Sequence, residues 1–258
     1  MLADRYDAFL FDLDGVLYRG TQPTPRAADT LARLRDSGKR LAFVTNNSSK
    51  TPQAVAEHLR SVGIRAEAVE VETSSMVTAA LLAERGVTTA FVVGEVGLRD
   101  ALQERGIELL DGEPGQADAV VVGWDRSVDY AKLRTASLLV QRGAAFVATN
   151  ADASFPAREG RWPGAGALLA AIETTTGERA EVIGKPHAPI LVAALARAGG
   201  GRPLLVGDRL DTDIAGAAAL GWDSMLVLTG ISTAADAAMA VPSPTYVADD
   251  LSALFDDR

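Results

Sequence analysis

The sequence predicts an α/β protein in which a doubly wound, Rossmann-like parallel sheet carries an inserted, smaller α/β cap. Short apolar runs alternate with amphipathic helical stretches, as in α/β folds. Polar residues follow several of these runs directly. About 140 residues with their own strand and helix patterns separate Thr45 from Lys185, whereas ordinary connections take only ~2–6 residues. We therefore predict a core of residues 1–78 and 181–258 and a cap of residues 79–180.

The N-terminal elements form a β-α-β-α pattern. Residues 8–11 form an apolar run typical of a buried strand. Apolar spacing over residues 28–34 predicts a helix that Gly38 ends. Residues 41–44 are the next strand, and a helix is predicted from residue 52 to about residue 62.

The rest of the chain repeats this alternation. In the cap, strands are predicted at residues 90–93, 119–122, 145–148 and near 182, and helices at residues 96–105, 130–141 and 165–174. After the cap, strands are predicted at residues 203–206 and 225–228, with a helix at residues 214–220. Strands separated by helices favour a parallel sheet in both parts of the chain.

Composition excludes several classes of site and partner. The chain has 25 lysines and arginines against 34 acidic residues, a net charge of −9, so nucleic acid is not an expected partner. It has no apolar leader and no run of ~18 apolar residues, so we expect a cytoplasmic protein without a membrane partner. With no cysteine and only two histidines, disulfides, thiolate zinc sites and cysteine nucleophiles are excluded.

Two carboxylates at the end of the first strand are the leading candidate site. Asp12 and Asp14 are two residues apart, so strand alternation would place them on the same side. Gly15 then permits a sharp turn. The carboxyl ends of parallel strands hold the ligand crevices of open α/β sheets. The alternative is a solvated turn with two surface aspartates.

Three further motifs would converge on the same edge of the sheet. They are Val44-Thr45-Asn46-Asn47, Gly184-Lys185-Pro186 and Gly207-Asp208-Arg209-Leu210-Asp211-Thr212-Asp213. Together with the aspartate pair they indicate phosphoryl transfer, which needs a nucleophile, an acid and charge stabilisation. Mg²⁺ prefers hard oxygen ligands, which Asp12 and Asp208 would supply. Lys185 would offset the negative charge, and the hydroxyl of Thr45 would hold phosphate oxygens.

In this order the four motifs resemble motifs one to four of the haloacid dehalogenase superfamily of phosphatases. They are most similar to the branch with a large α/β cap, which includes NagD-type, 4-nitrophenyl phosphate and phosphoglycolate phosphatases. The resemblance implies that Asp12 is the nucleophile and that Asp14 is the general acid and base. Asp14 would also bind Mg²⁺ through its backbone carbonyl. Aspartate at position 14 favours phosphate ester hydrolysis, because the dehalogenases lack that acid and the ATPases carry threonine there.

The remaining motifs take their roles from the same resemblance. Thr45, Asn46, Asn47 and Lys185 match phosphate-binding positions. Asp208 matches the metal ligand, and Asp213 would support the metal through hydrogen bonds or water.

Roles for the cap residues are left open. Thr149-Asn150-Ala151-Asp152 ends a cap strand. Asn150 and Asp152 either contact the substrate or serve only as the N-cap of a helix and part of a turn. Arg158 and Arg161, in a predicted loop over residues 155–166, either touch an anionic substrate group or are solvated.

Three residues near the motifs are expected to have no chemical role. His58 is predicted on a helix surface, His187 at a helix start and Asp211 in an exposed turn.

The sequence thus predicts a Mg²⁺-dependent phosphatase acting on a small phosphorylated metabolite through an aspartyl-phosphate. Glycerol 3-phosphate, phosphoglycolate, pyridoxal phosphate and nucleoside monophosphates are the candidate substrates, and related capped enzymes suggest a homodimer. A phospho-accepting signalling module is the alternative from another class, although such modules are about half as long and have no cap. A mutase and a catalytically silent relative remain as further alternatives.

Overall fold

The computed structural model describes residues 1–157 and 159–256. These residues form two compact units. The first unit contains Met1–Thr45, Pro52–Glu72 and the chain from Lys185 onward, and the second contains Asn46–Thr51 and Thr73–Gly184. Arg158, considered above as a substrate contact, lies outside the described residues.

Strands and helices alternate through both units. The strands are β1 (Ala8–Phe11), β2 (Tyr18–Arg19), β3 (Gln22–Pro23), β4 (Arg40–Thr45), β5 (Val71–Thr73), β6 (Thr89–Val93), β7 (Glu108–Leu110), β8 (Ala119–Val122), β9 (Ala145–Ala148), β10 (Ser154–Ala157), β11 (Gly160–Pro163), β12 (Glu181–Val182), β13 (Pro203–Gly207), β14 (Asp223–Val227) and β15 (Tyr246–Ala248). The helices are α1 (Ala27–Asp36), α2 (Pro52–Ser61), α3 (Ser74–Glu84), α4 (Val96–Glu104), α5 (Tyr130–Gln141), α6 (Ala165–Thr176), α7 (Ala188–Arg197), α8 (Ala215–Ala219) and α9 (Ala234–Met239).

The first unit is built on a six-stranded sheet of order β15-β14-β13-β1-β4-β5. Strand β1 pairs in parallel with β4 on one side and with β13 on the other. When the six strands are numbered by their order along the chain, their order across the sheet is that of the doubly wound nucleotide-binding fold. In that fold the ligand crevice lies where the strand order reverses. The reversal falls between β1 and β13, so the chain that follows these two strands borders the crevice. The predicted doubly wound parallel core is confirmed.

Strand β1 is buried on both faces. All four of its residues are fully buried. Phe9 and Phe11 belong to a core cluster with Leu31 of α1 and Leu59 of α2. Helix α7 packs against β1 and β4. Because helices cover both faces, the strand reads as a continuous apolar run rather than an alternating one.

The second unit has a parallel sheet of its own, with strand order β12-β9-β8-β6-β7. Its core joins Val93 and Val120 of the sheet to Leu139 of α5 and Ile172 of α6. This unit is an α/β fold in itself, as the strand and helix pattern of the inserted segment predicts.

One local prediction was wrong. Ser154–Ala157 and Gly160–Pro163, predicted to lie in a loop, pair as the antiparallel strands β10 and β11, in which Phe155 pairs with Trp162. The aromatic ring of Phe155 also stacks on Trp124 at 4.4 Å between centroids, a contact that the local sequence does not show. The helix predicted over residues 214–220 is confirmed as α8, and a π-helical turn over Leu210–Ile214 precedes it.

Candidate active site

Asp12 and Asp14 follow β1 directly, beside the point where the strand order reverses. The backbone N–H of Asp12 donates to the carbonyl of Val206 in β13 at 2.9 Å, which continues the pairing of the two strands past the end of β1. Asp208 follows β13 in the same way. The chain order of the sheet therefore brings aspartates that are distant in sequence to one edge, as predicted.

A buried ion cluster joins Lys185 to Asp12 and to Asp213. The Nζ atom of Lys185 lies 2.5 Å from Asp12 Oδ1 and 2.7 Å from Asp213 Oδ1. The lysine is only 3% exposed. A buried charge without a partner is strongly destabilising, so the two carboxylates and the ammonium group depend on one another. The fold brings Lys185 to Asp12 across 173 residues of chain and to Asp213 across 28.

Burial and nearby charges shift the pKa values of Asp12, Asp208 and Lys185. Burial raises the pKa of Asp12 well above its usual range, and the nearby Lys185 ammonium opposes that rise. Burial raises the pKa of Asp208 to about 6, with the charge of Asp213 adding to the effect. Burial acts to lower the pKa of Lys185, but the charges of Asp12 and Asp213 outweigh it and raise that pKa. The carboxylates of this cluster are therefore held close together at an electrostatic cost.

The surroundings of the Asp208 carboxylate suit a bound cation. Its Oδ2 accepts a hydrogen bond from the backbone N–H of Ile231 at 2.7 Å. Its Oδ1 is buried and has no hydrogen-bond partner among the described residues. A Cβ on Gly230 would lie 1.9 Å from Oδ2, and a Cβ on Gly15 would lie 2.5 Å from it. Only glycines permit this close approach of the backbone to the carboxylate.

Oxygen atoms of Asp12, Asp208 and Asp213 lie within 4.8 Å of one another. Three carboxylates against the single ammonium of Lys185 leave an excess of about two negative charges, which a divalent cation would balance. Hard carboxylate oxygens are the ligands that Mg²⁺ prefers in proteins. The orphaned Oδ1 of Asp208 and this donor set fit a bound Mg²⁺.

Asp213 differs from the other two carboxylates because protein donors already hold both of its oxygens. Oδ1 accepts from Lys185, and Oδ2 accepts from the backbone N–H of Arg209 at 3.2 Å. A Cβ on Gly207 would lie 2.2 Å from the Cβ of Asp213. This arrangement suits a residue that supports the metal site rather than one that contributes a free ligand atom.

The other predicted site residues fall in two groups. Thr45 ends β4 in the first unit, whereas Asn46, Asn47, Asn150 and Asp152 belong to the second unit. The carbonyl oxygen of Asn46 accepts hydrogen bonds from Asn150 Nδ2 at 2.7 Å and from Ser74 Oγ at 2.8 Å.

Two further contacts complete this second group. The side-chain amide of Asn46 donates to Asp152 at 3.2 Å. Asn47 Oδ1 accepts from the backbone N–H and the hydroxyl of Ser49. Within the second unit, Asn150 and Asp152 therefore contact Asn46.

Sequence reasoning missed Tyr18. Its side chain is 7% exposed and lies beside Asp14. Burial, followed by the charges of Asp14 and Asp12, raises the pKa of Tyr18, so its phenol keeps the proton. A tyrosine four residues beyond the acid could have been noticed, but nothing in the sequence shows that the chain turns back.

The two histidines and Asp211 lie outside the aspartate cluster. His58, predicted on a helix surface, is half-buried there, and its ring meets Tyr18 edge-on. His187 stands at the start of α7 and is exposed, as predicted. Asp211 is exposed, as predicted, and it forms an ion pair with Arg209 at 2.6 Å.

Among residues 1–157 and 159–256, every helix is too short or too polar to cross a bilayer.

Comparisons with known proteins match this arrangement. The family model described as haloacid dehalogenase-like hydrolase matches residues 9–108, and a second HAD-like hydrolase model matches residues 182–254. The chain is 39% identical to a D-glycerol 3-phosphate phosphatase of Mycobacterium tuberculosis, covering 99% of this chain and 73% of that protein. It is 38% identical to the 5'-nucleotidase YutF of Bacillus subtilis, covering 96% of each. The crystal structure of the glycerol phosphate phosphatase Rv1692 from Mycobacterium tuberculosis in complex with magnesium superimposes with a TM-score of 0.93 at 39% identity, covering 98% of this chain and 77% of that one. The chain therefore belongs to the haloacid dehalogenase-like hydrolases.

Proposed function

We propose that this protein is a Mg²⁺-dependent phosphatase that hydrolyses a small phosphate monoester through an aspartyl-phosphate on Asp12. The observation that carries the proposal is the buried cluster of Asp12, Asp208, Asp213 and Lys185. Within the described part of the chain, Oδ1 of Asp208 has no hydrogen-bond partner. Such a cluster costs stability unless a cation binds it.

Asp12 and Asp208 would hold Mg²⁺ through their side chains, Asp14 would hold it through its backbone carbonyl, and Asp213 would keep the site in place. When bound, Mg²⁺ supplies positive charge that offsets the negative charge of the phosphoryl group. Lys185 is already fixed against Asp12 at 2.5 Å. Its ammonium would also attract phosphate oxygens that approach Asp12.

In the first step a carboxylate oxygen of Asp12 attacks phosphorus, and the bond from phosphorus to the leaving alcohol breaks. Asp14 gives its proton to the departing oxygen. In the second step Asp14, now a carboxylate, takes a proton from water as that water attacks the phosphorus of the aspartyl-phosphate. This step returns Asp12 as a carboxylate and Asp14 as an acid, and it releases inorganic phosphate.

The names of the relatives support a small metabolite as the substrate. The relatives include a D-glycerol 3-phosphate phosphatase, a 5'-nucleotidase and acid sugar phosphatases of Staphylococcus aureus. Glycerol 3-phosphate is our first candidate, followed by phosphoglycolate. Pyridoxal phosphate and nucleotides are the next classes to test.

Other proposals rest on sequence reasoning. We assign phosphate contacts to Thr45, Asn46, Asn47 and Lys185 and substrate selection to the inserted unit. We also expect a cytoplasmic homodimer without nucleic-acid or membrane partners, in keeping with the net charge of −9.

The test is a phosphate-release screen over a panel of metabolites, with and without Mg²⁺. We expect Mg²⁺-dependent release, and we expect Asp12→Asn to abolish it while the circular dichroism spectrum stays unchanged. Asp211→Asn is the matched control, because Asp211 lies in the same acidic segment as Asp208 but is exposed. Near-normal turnover by Asp12→Asn would refute the mechanism. A stable phosphoprotein without phosphate release would favour the signalling module instead.

A further inference from the structure

The chain after β1 turns back so that Tyr18 lies beside Asp14. The N–H of Gly15 donates to the carbonyl of Tyr18 at 2.8 Å, and the N–H of Leu17 donates to the carbonyl of Leu13 at 2.8 Å. Tyr18 then begins the short hairpin of β2 and β3. This turn pairs Tyr18 with Asp14 in an isolated β-bridge, and the Tyr18 hydroxyl lies near the Asp14 carboxyl.

His58 supports this hairpin from α2. Its ring meets the ring of Tyr18 edge-on, with centroids 4.5 Å apart and an angle of 87°. Its Nε2 lies 2.9 Å from the carbonyl oxygen of Gly20. A carbonyl can only accept, so Nε2 carries the proton and donates. One side chain of α2 therefore contacts both the beginning and the tip of the hairpin.

The opposite side of the same loop is fixed to the segment around Gly230. The hydroxyl of Thr229 donates to the carbonyl of Gly15 at 2.6 Å, and Arg19 Nη2 donates to the carbonyl of Gly230 at 3.2 Å. The backbone of the Asp14 loop is thus held by groups from two directions. The edge-on contact with His58 orients the ring of Tyr18, the bridge partner of Asp14.

We propose that Tyr18 is a positioning residue that holds the Asp14 carboxyl toward the leaving group, and that His58 keeps Tyr18 in place. The proposal rests on the proposed function, in which Asp14 protonates the departing oxygen. A general acid works only when it lies within hydrogen-bond distance of the atom that it protonates. Small errors in that distance reduce the rate strongly.

This role has a signature that a loss of folding would not produce. An alkyl phosphate such as glycerol 3-phosphate releases a strongly basic alkoxide, which needs the proton of Asp14. 4-Nitrophenyl phosphate releases a weakly basic phenolate, which needs that proton far less. The ratio kcat/KM reports the steps up to the first irreversible one, the transfer of the phosphoryl group to Asp12, so it isolates this difference.

The decisive variant is Tyr18→Phe, which removes the hydroxyl and keeps the ring against His58. We expect kcat/KM for glycerol 3-phosphate, or for the best alkyl ester of the screen, to fall roughly tenfold, a part of the ~10²–10⁴-fold that general acids contribute. We expect a fall of less than about twofold for 4-nitrophenyl phosphate. Tyr6→Phe is the matched control, since the buried Tyr6 donates to Asp223 at 2.8 Å at the opposite end of β1. It should change neither ratio.

A second variant, His58→Leu, tests whether His58 keeps Tyr18 in place. It should produce the same ester-selective loss, and the double variant should lose no more than Tyr18→Phe alone, because both changes act through Asp14. An equal loss on both esters, or no loss on either, would overturn the proposal. If the wild-type protein with Mg²⁺ released phosphate from neither ester, the proposed function itself would fall.

Discussion

The electrostatic cost of the aspartate cluster makes a measurable prediction for Asp208→Asn. The pKa of Asp208 is raised from 3.8 to about 6 by burial and then by Asp213. A shift of about two pKa units is worth about 3 kcal/mol, at about 1.4 kcal/mol each. Near neutral pH this penalty lowers the stability of the metal-free wild type. The Asp208 carboxylate is then charged in both the unfolded and the folded protein, but its charge has the higher free energy in the folded protein. Asparagine keeps the shape and removes the charge.

The metal-free variant should therefore be more stable than the wild type by about 3 kcal/mol near neutral pH. The sign follows from the raised pKa. As pH falls from about 6 toward 3.8, the folded carboxyl takes up a proton that the unfolded chain does not bind. The wild type gains stability over that window and the difference shrinks. Mg²⁺ should reverse the order, because it stabilises the wild type by binding only the folded state and no longer binds the variant tightly.

The assay is thermal and urea unfolding in EDTA and in excess Mg²⁺, between weakly acidic and neutral pH. Asp211→Asn serves as the control. The pKa of Asp211 is lowered by its hydrogen bond with Arg209, so its removal should not stabilise the protein. The reasoning would be refuted if Asp208→Asn were no more stable than the wild type in EDTA near neutral pH. A stability difference that stayed constant as pH fell would refute it equally.

Three further changes test other parts of the site and fold. Gly230→Ala would place a Cβ 1.9 Å from Asp208 Oδ2. The Mg²⁺ affinity measured by calorimetry should therefore fall at least tenfold, about 1.4 kcal/mol. An unchanged affinity would contradict a role of Asp208 and its glycine neighbours in binding the ion. Lys185→Met leaves buried carboxylates without their partner, and urea unfolding should show a loss of about 3–5 kcal/mol near neutral pH; a loss below about 1 kcal/mol would speak against a buried pair. Asp118→Asn removes a carboxyl whose pKa is lowered to about 2, first by the hydroxyl of Thr88. A carboxyl with a lowered pKa stabilises the folded state above pH 3.8, and this effect is lost as the pH falls toward 2. The variant should therefore be less stable than the wild type near neutral pH and equally stable in acid. A stability difference that persists in acid would show that the charge of Asp118 is not its source.

The sequence predicted those parts of the site that depend on strand order. Asp12 and Asp208 each follow a buried apolar run, and parallel pairing brings such strand ends together whatever their separation in sequence. Lys185 was found because it carries a charge in a Gly-Lys-Pro turn, although its 2.5 Å contact with Asp12 is a tertiary fact.

Features that depend on packing between distant segments were not predictable. Tyr18 reads as the end of an apolar run, and only the turn over residues 13–18 shows that it faces Asp14. His58 lies on a polar stretch of α2 and is half-buried because the hairpin of β2 and β3 contacts it. The hairpin of β10 and β11 was missed because Gly, Arg and Pro in residues 156–164 favour a loop when only local propensity is considered.

The most direct test of the central claim is to trap the phosphoryl group on the enzyme. Protein mixed with ³²P-labelled substrate and Mg²⁺ is quenched in acid within the first turnover, digested, and the labelled peptide is identified by mass spectrometry. We predict label on the peptide that contains Asp12, formed and lost at rates that match phosphate release, and no label in Asp12→Asn. Rapid phosphate release in the wild type without label at Asp12, or undiminished release by Asp12→Asn, would contradict the account.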